Sequence, residues 1–272
     1  MTSEAAHTVT VNGPDQGSSA QSPVVVVTGA ASGIGRATAS AFGRIGRRVV
    51  CADIDGDGTE ATVDAITKAG GTARAVTVDV ADDDACRRAV ASAAEFGRLQ
   101  TLVNVAGVLP ADDRIDLLSP QVWDHTMAVN VRSVYSMTRH AVPHLRRYGG
   151  VIVNTTSVHA FATMPSSAAY AASKGAVLSL TRQLAVDLTG DGIRVVAVAP
   201  GSVDTPMSRR SLDRTGGSSL ADLGFDDDPR AGGRGGAPEE IAAAIVWLAS
   251  PEAGFVNGTC LTVDGALLAR LV

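Results

Sequence analysis

Only three cysteines occur in 272 residues, Cys51, Cys86 and Cys260, and no C-x-x-C pair is among them. Neither a disulfide framework nor a zinc-ligand spacing can be drawn from them, and they read as reduced thiols of a cytoplasmic protein. Positive charge is also short. Lys and Arg number 23 against 28 Asp and Glu, a net charge of -5, so no basic surplus exists to hold a phosphate backbone or an anionic bilayer. Nucleic acid and membrane are not expected as partners. Long apolar runs are missing too, and the stretch 241–249 falls well short of the ~20 residues a membrane span needs. Residues 1–22 lack Lys, Arg and an apolar segment, unlike a secretory signal, and their Ser, Gly, Gln and Thr content predicts a disordered tail.

What is present is 45% hydrophobic, enough for one sizeable core, and a single domain is expected over 23–272. From residue 24 onward, short β-branched runs alternate with longer Ala-rich segments. Strands are predicted at 24–28, 48–53, 73–79, 99–104, 151–155, 194–199 and 259–263, most of them continuous apolar runs as in buried parallel strands. Helices are predicted at 34–45, 58–68, 82–96, 120–147, 169–188 and 238–250. This alternation predicts an α/β, doubly wound (Rossmann) fold with a seven-stranded parallel sheet covered by helices on both faces. Residues 208–236, rich in Gly, Asp, Arg and Ser, break the rhythm, and a flexible substrate lid is expected at about 203–236.

Two patterns carry chemistry. Thr28-Gly29-Ala30-Ala31-Ser32-Gly33-Ile34-Gly35 lies where the first strand enters the first helix. Its glycines permit a tight turn and close approach of a pyrophosphate to backbone N–H groups and the helix dipole. Asp53 closes the second strand 18 residues past Gly35, near the offset expected of a carboxylate that accepts from adenosine ribose hydroxyls. In the second pattern, Tyr170 and Lys174 stand four residues apart, so on a helix a phenol and an ammonium share one face. A fixed cation favours the phenolate, which is otherwise too weakly acidic to act near neutral pH. Alone, such a pair is a common feature of helix surfaces. His140 and His144 could also share a helix face, but no third ligand is suggested and no metal is expected. The acceptor patterns at Asn154 and Asn257 read as chance without a secretory signal.

Taken in order, the Gly-rich turn, Asn104-Val105-Ala106-Gly107, Asn130, Ser157 set 13 residues before Tyr170, Lys174 and Pro200-Gly201 make the chain resemble the short-chain dehydrogenase/reductase family over 24–266. That resemblance implies an NAD-dependent oxidoreductase moving a hydride between nicotinamide and a secondary alcohol or ketone carbon. Polyols, sugars and cyclic alcohols are the suggested substrates. The implied catalytic residues are Asn130, Ser157, Tyr170 and Lys174. Tyr170 would transfer the proton, Ser157 would hold the same oxygen, Lys174 would bind the nicotinamide ribose and lower the phenol pKa, and Asn130 would hold a water.

For the cofactor, the resemblance implies Gly29, Ser32, Gly33, Ile34 and Gly35 at the pyrophosphate, with Asp53 and Ile54 at the adenosine ribose. Asp79 and Val80 would meet adenine, and Asn104, Ala106 and Gly107 would flank the dinucleotide. Pro200, Gly201, Val203 and Thr205, together with Tyr170 and Lys174, would complete the nicotinamide end. NAD is expected over NADP, because Ser32 and Ile54 stand where NADP-preferring relatives carry basic residues. A homotetramer is also implied, with the segment 120–147 and the Tyr170 helix at one interface through Val129, Val134, Met137 and Val142, and the seventh strand region at another. A non-catalytic dinucleotide sensor and a 3-oxoacyl-thioester reductase-like enzyme are the alternatives. Val105, Val196 and Ala266 depart from the family pattern without removing a catalytic group.

Overall fold

Four valines between a proline and a threonine make up β1 (Pro23–Thr28), where every residue but the first is buried. The computed structural model describes residues 22–110, 114–215 and 235–269. After β1 come α1 (Gly33–Arg44), β2 (Arg48–Asp53), α2 (Gly56–Lys68), β3 (Thr72–Thr77), α3 (Asp83–Phe96) and β4 (Arg98–Asn104). The second half holds α4 (Pro120–Met127), α5 (Ser133–Leu145), β5 (Gly150–Thr155), α6 (Ala168–Leu188), β6 (Ile193–Pro200), α7 (Pro206–Thr215), α8 (Pro238–Ala249) and β7 (Cys260–Val263). The seven strands form one parallel sheet in the order β3-β2-β1-β4-β5-β6-β7.

Alternate strand residues point to opposite faces, and β1 supplies both layers of the core. Val24 and Val26 pack with Val90 of α3, Met137 of α5 and Leu188 of α6. Val25 and Val27 pack with Phe42 of α1, Ile66 of α2 and Ile245 of α8. The chain reverses its winding between β1 and β4, which opens a crevice at their C-terminal ends, the place where doubly wound sheets receive ligands. There the Thr28 hydroxyl accepts from the backbone N–H groups of Val105 and Ala106 at 3.0 and 3.1 Å. Gly29 follows with φ +70, and a Cβ on it would lie 2.9 Å from the Ala106 nitrogen, so glycine is required by both conformation and space.

Several expectations are corrected. β3 stops at Thr77, not Asp79, because its neighbour β2 ends at Asp53 and the ladder has no further partner. The segment 120–147 is two helices joined by a π-helical turn, Ala128–Arg132, which carries Asn130. Within the stretch 208–236, residues up to Thr215 belong to α7, and Val203 bridges to Gly236, while 216–234 of the expected lid lie outside the described residues. Residues 1–21 of the expected tail also lie outside them. Val129, Val134 and Met137 do not form an exposed interface stripe. They are buried within the chain itself, and Val129, Met137 and Val142 belong to the core cluster on that face of the sheet. Ala266, where the family pattern has glycine, adopts φ +68, so this alanine holds a left-handed conformation that glycine adopts without strain.

At the opposite, N-terminal edge of the sheet, Arg194 donates to the carbonyls of Leu248, Ser250 and Val256 at 2.9 to 3.1 Å, closing the end of α8. Replacing it leaves those carbonyls short of partners. Arg194→Met should lower unfolding stability by about 2–3 kcal/mol, read from denaturant melts, and a change below about 0.5 kcal/mol would remove this role.

Candidate active site

Three consecutive residues at the end of β5 grip α6. The Thr155 carbonyl accepts from Lys174 Nζ at 3.0 Å, the Thr156 hydroxyl donates to the Lys174 carbonyl at 2.7 Å, and the Ser157 side chain hydrogen-bonds Tyr170. Tyr170 sits in the first turn of α6 and Lys174 one turn later, so the i, i+4 spacing brings Nζ to 5.5 Å from the phenol ring centroid. Asn130 joins from the π-helical turn. Its Oδ1 accepts from Val108 N at 2.7 Å, and its Nδ2 donates to the Val108 carbonyl and the Ser173 hydroxyl, both at 3.0 Å. Ser173 in turn donates to the Tyr170 carbonyl at 2.7 Å. The structure therefore brings all four expected catalytic residues into one connected cluster.

Burial governs the electrostatics here. It pushes the Tyr170 phenol up, opposed by the bond to Ser157, and it pulls the Lys174 ammonium down to about 8. Burial also lowers the His159 imidazole, whose ring stands edge-on to Tyr170 at 5.3 Å between centroids.

Several of the residues expected to meet a dinucleotide lie around the crevice above β1 and β4. Asp53 accepts from Ala31 N at 3.0 Å and Asp55 N at 3.1 Å, which fixes the carboxylate beside the Gly-rich turn, and Ile54 next to it is exposed. Gly33 has φ +50 and a Cβ there would lie 3.2 Å from the Thr205 methyl, while one on Gly35 would strike the Gly29 carbonyl. Ser32 occupies the cap position of α1, and Ile34 packs beneath it on the second core cluster. A Cβ on Gly107 would lie 3.2 Å from Asn130 Oδ1 and 3.6 Å from Lys174 Nζ, so this glycine keeps the path to the lysine open. A cavity of about 380 Å³ runs along the side of α1 facing the starts of α7 and α8, lined by Ser32, Gly33, Arg36, Arg44, Thr205 and Glu239.

Other expected residues have different first tasks. Asn104 donates to Asn154 Oδ1 at 2.9 Å, and Asn154 donates on to Thr181, a buried relay under the site. Asp79 is exposed and accepts from Ala81 N at 2.9 Å, while buried Val80 receives the Cys86 thiol on its carbonyl. Thr205 caps α7 with Ser208, Val203 is buried, and Pro200-Gly201 runs against Asp264 at the end of β7. His140 pairs with Asp83 rather than with His144, and among the described residues no group of three side chains could hold a metal. Thr28, Asn154 and Ser173 were missed by the sequence reading. The position of Thr28 directly before the Gly-rich turn was the one available hint.

Comparison with known proteins completes the picture. The family model described as enoyl-(acyl carrier protein) reductase matches residues 29–267. The short-chain reductase protein NovJ of Streptomyces niveus is 42% identical over 248 residues, covering 90% of this chain and 94% of that protein. The chain belongs to the short-chain dehydrogenase/reductase family. It is an oxidoreductase acting on CH–OH groups, and its family uses a nicotinamide dinucleotide. The 3β-hydroxysteroid dehydrogenase 1 of Eggerthella lenta is 40% identical, covering 89% of this chain and 92% of that protein. Among solved structures, a candidate NAD(P)-dependent gluconate 5-dehydrogenase from Beutenbergia cavernae, with NADP bound at low occupancy, superposes with a TM-score of 0.82. It is 34% identical, and the match covers 93% of this chain and 99% of that one.

The lowered lysine has a pH signature. Folding must bury a charged ammonium below about pH 8, a penalty that fades as pH rises from 8 toward the unfolded value of 10.5. Lys174→Met should thus be more stable than the native protein at pH 7, by about 2–3 kcal/mol before the lost Thr155 bond is subtracted. Thermal melts of both proteins should show that advantage shrinking between pH 8 and 10, and a pH-independent difference would sink the assignment.

Proposed function

We propose that the enzyme interconverts secondary alcohols and ketones of the polyol, sugar or cyclic-alcohol kind, with NAD preferred over NADP. The observation that carries this is the cluster at the end of β5, where the Thr155 carbonyl holds the buried Lys174 and Ser157 stands beside the Tyr170 phenol. Two hydroxyl groups converge on one point where a substrate oxygen can sit. Tyr170 gives its proton to that oxygen or takes one from it, and Ser157 stabilises the charge that develops there. Of the three protons on Lys174 Nζ, one is held by Thr155 and two are left for the nicotinamide ribose hydroxyls. Both N–H groups of the Asn130 amide already have partners, so its side chain fixes the Val108 loop and a water would be taken by an oxygen of that residue. Bound nicotinamide supplies or accepts the hydride.

The left-handed glycines at 29 and 33 and the open path at Gly107 fit a dinucleotide laid across β1 and β4. Asp53 supports NAD: its fixed carboxylate can accept from ribose hydroxyls, whereas a 2′-phosphate would meet like charge. Arg36, the nearest cation, is turned to the Ala31 carbonyl. We also infer a cytoplasmic homotetramer. Tyr135 and Val186 on α5 and α6, and Trp247 and Phe255 on and after α8, are the exposed apolar groups available for its contacts.

NADH absorbance with a panel of secondary alcohols, sugars and a 3-oxoacyl thioester tests the reading; net redox opposes a sensor role, and the preferred substrate separates the rest. Tyr170→Phe should cut turnover by at least ~100-fold while NAD still binds, and retention of more than about a tenth would reject the proton-transfer role. Wild-type kcat/KM should be higher with NAD, and Asp53→Ala should narrow the gap. Equal or higher kcat/KM with NADP in the native enzyme would overturn the preference.

A further inference from the structure

Beside the phenol stands a nitrogen that the chemistry above leaves unused. His159 belongs to the single 3-10 turn Val158–Ala160 that follows Ser157, and its backbone N–H donates to the Ser157 hydroxyl at 3.2 Å. Its ring is held on two sides. One edge meets Tyr170 at 78° between ring planes, and Nδ1 lies 3.1 Å from the Thr163 hydroxyl. We assign the ring proton to Nδ1 with Thr163 as its acceptor, since that hydroxyl also has the Met164 carbonyl 3.5 Å away to receive its own proton. Nε2 is then a bare lone pair. Among the described residues it has no hydrogen-bond partner, and it is not among the side-chain atoms sealed from solvent.

Burial holds the imidazole below its ordinary range, so it is neutral at pH 7. A neutral acceptor offers nothing to a carboxylate or phosphate. A purely apolar substrate would displace water from Nε2 and replace it with no donor, which disfavours binding. A hydroxyl satisfies it. We propose that His159 Nε2 receives a second hydroxyl of the substrate, so that the enzyme takes diols and polyols bearing an O–H near the reacting carbinol carbon. Thr163 is the positioning residue that fixes the tautomer and turn of the ring, and exposed Phe161 and Met164 stand on the same segment beyond it. This rests on the oxidoreductase reading of Ser157, Tyr170 and Lys174.

The test uses the full-length enzyme with each dinucleotide and a matched pair of substrates, butane-2,3-diol and butan-2-ol, each checked as resolved stereoisomers. His159→Phe keeps a ring against Tyr170 and removes the acceptor. His159→Gln restores an amide oxygen near the Nε2 position. The native diol-to-monool ratio of kcat/KM should exceed about 10, fall by about 10- to 100-fold in the Phe variant, and recover in part in the Gln variant. Thr163→Val should lower the same ratio by a few-fold, which keeps the proposal open to refutation if the Phe variant does not fold. A native ratio near one, or a ratio that neither His159→Phe nor Thr163→Val moves by more than about twofold, overturns the role of His159 while leaving the oxidoreductase reading intact. Failure of every alcohol to reduce either dinucleotide overturns both.

Discussion

An ammonium that water barely reaches sets the terms for the C-terminal edge of this sheet. Lys174 is 4% exposed, and a charge in that position is tolerated only where fixed dipoles replace its hydration. Thr155 does this through its carbonyl, while Thr156 ties the lysine backbone and Ser157 acts on the neighbouring phenol. Because all three are the last residues of a central strand or directly follow it, the position of α6 is dictated by the sheet rather than by loops. Precision in the site therefore derives from the most rigid part of the molecule.

Burial pushes the tyrosine, the lysine and the histidine of the cleft in the same chemical direction, toward their neutral forms. The contrast with the neighbouring crevice is sharp. There Asp53 is held by the backbone N–H groups of Ala31 and Asp55, beside the left-handed glycines 29 and 33 and the N-terminus of α1. One half of the groove is thus built for charged phosphates and sugar hydroxyls, the other for an uncharged oxygen-bearing carbon. A cofactor that is charged at one end and reacts at an uncharged carbon at the other matches that gradient.

The sheet was legible because buried parallel strands leave continuous β-branched runs, and β1, β2 and β5 were placed to within a residue. β3 was overextended, since where a strand ends depends on the length of its neighbour, which no local pattern records. α7 was missed because its sequence, PMSRRSLDRT, is strongly polar and runs straight into a Gly-, Ser- and Asp-rich stretch. Val134 and Met137 misled in another way: an apolar stripe reveals that a helix buries one face, and not whether the surface it meets belongs to its own chain. At the site, the spacing of Tyr170 and Lys174 alone describes a common helix-surface pair, and it is the order of motifs that groups them with Ser157 and Asn130. Thr28 and Asn154 were not legible, because their bonds join strands that only the folded order makes adjacent. The same burial that makes Asn154 a relay also removes it as a glycosylation acceptor.

The strand order has a temporal consequence. β1 is the first strand made, yet its second neighbour, β4, begins at Arg98, and the Thr28 clasp on Val105 and Ala106 spans more than seventy positions of chain. Closing so long a loop is entropically expensive and is repaid only when the strand docks, so the dinucleotide crevice is assembled late by comparison with the β1-to-β2 unit. During synthesis the Gly-rich turn therefore emerges without the wall that shapes it, and the valines of β1 stay open on one edge until β4 arrives. For a growing chain, the interval between residues 28 and 106 is the window in which mispairing of that central strand is most costly.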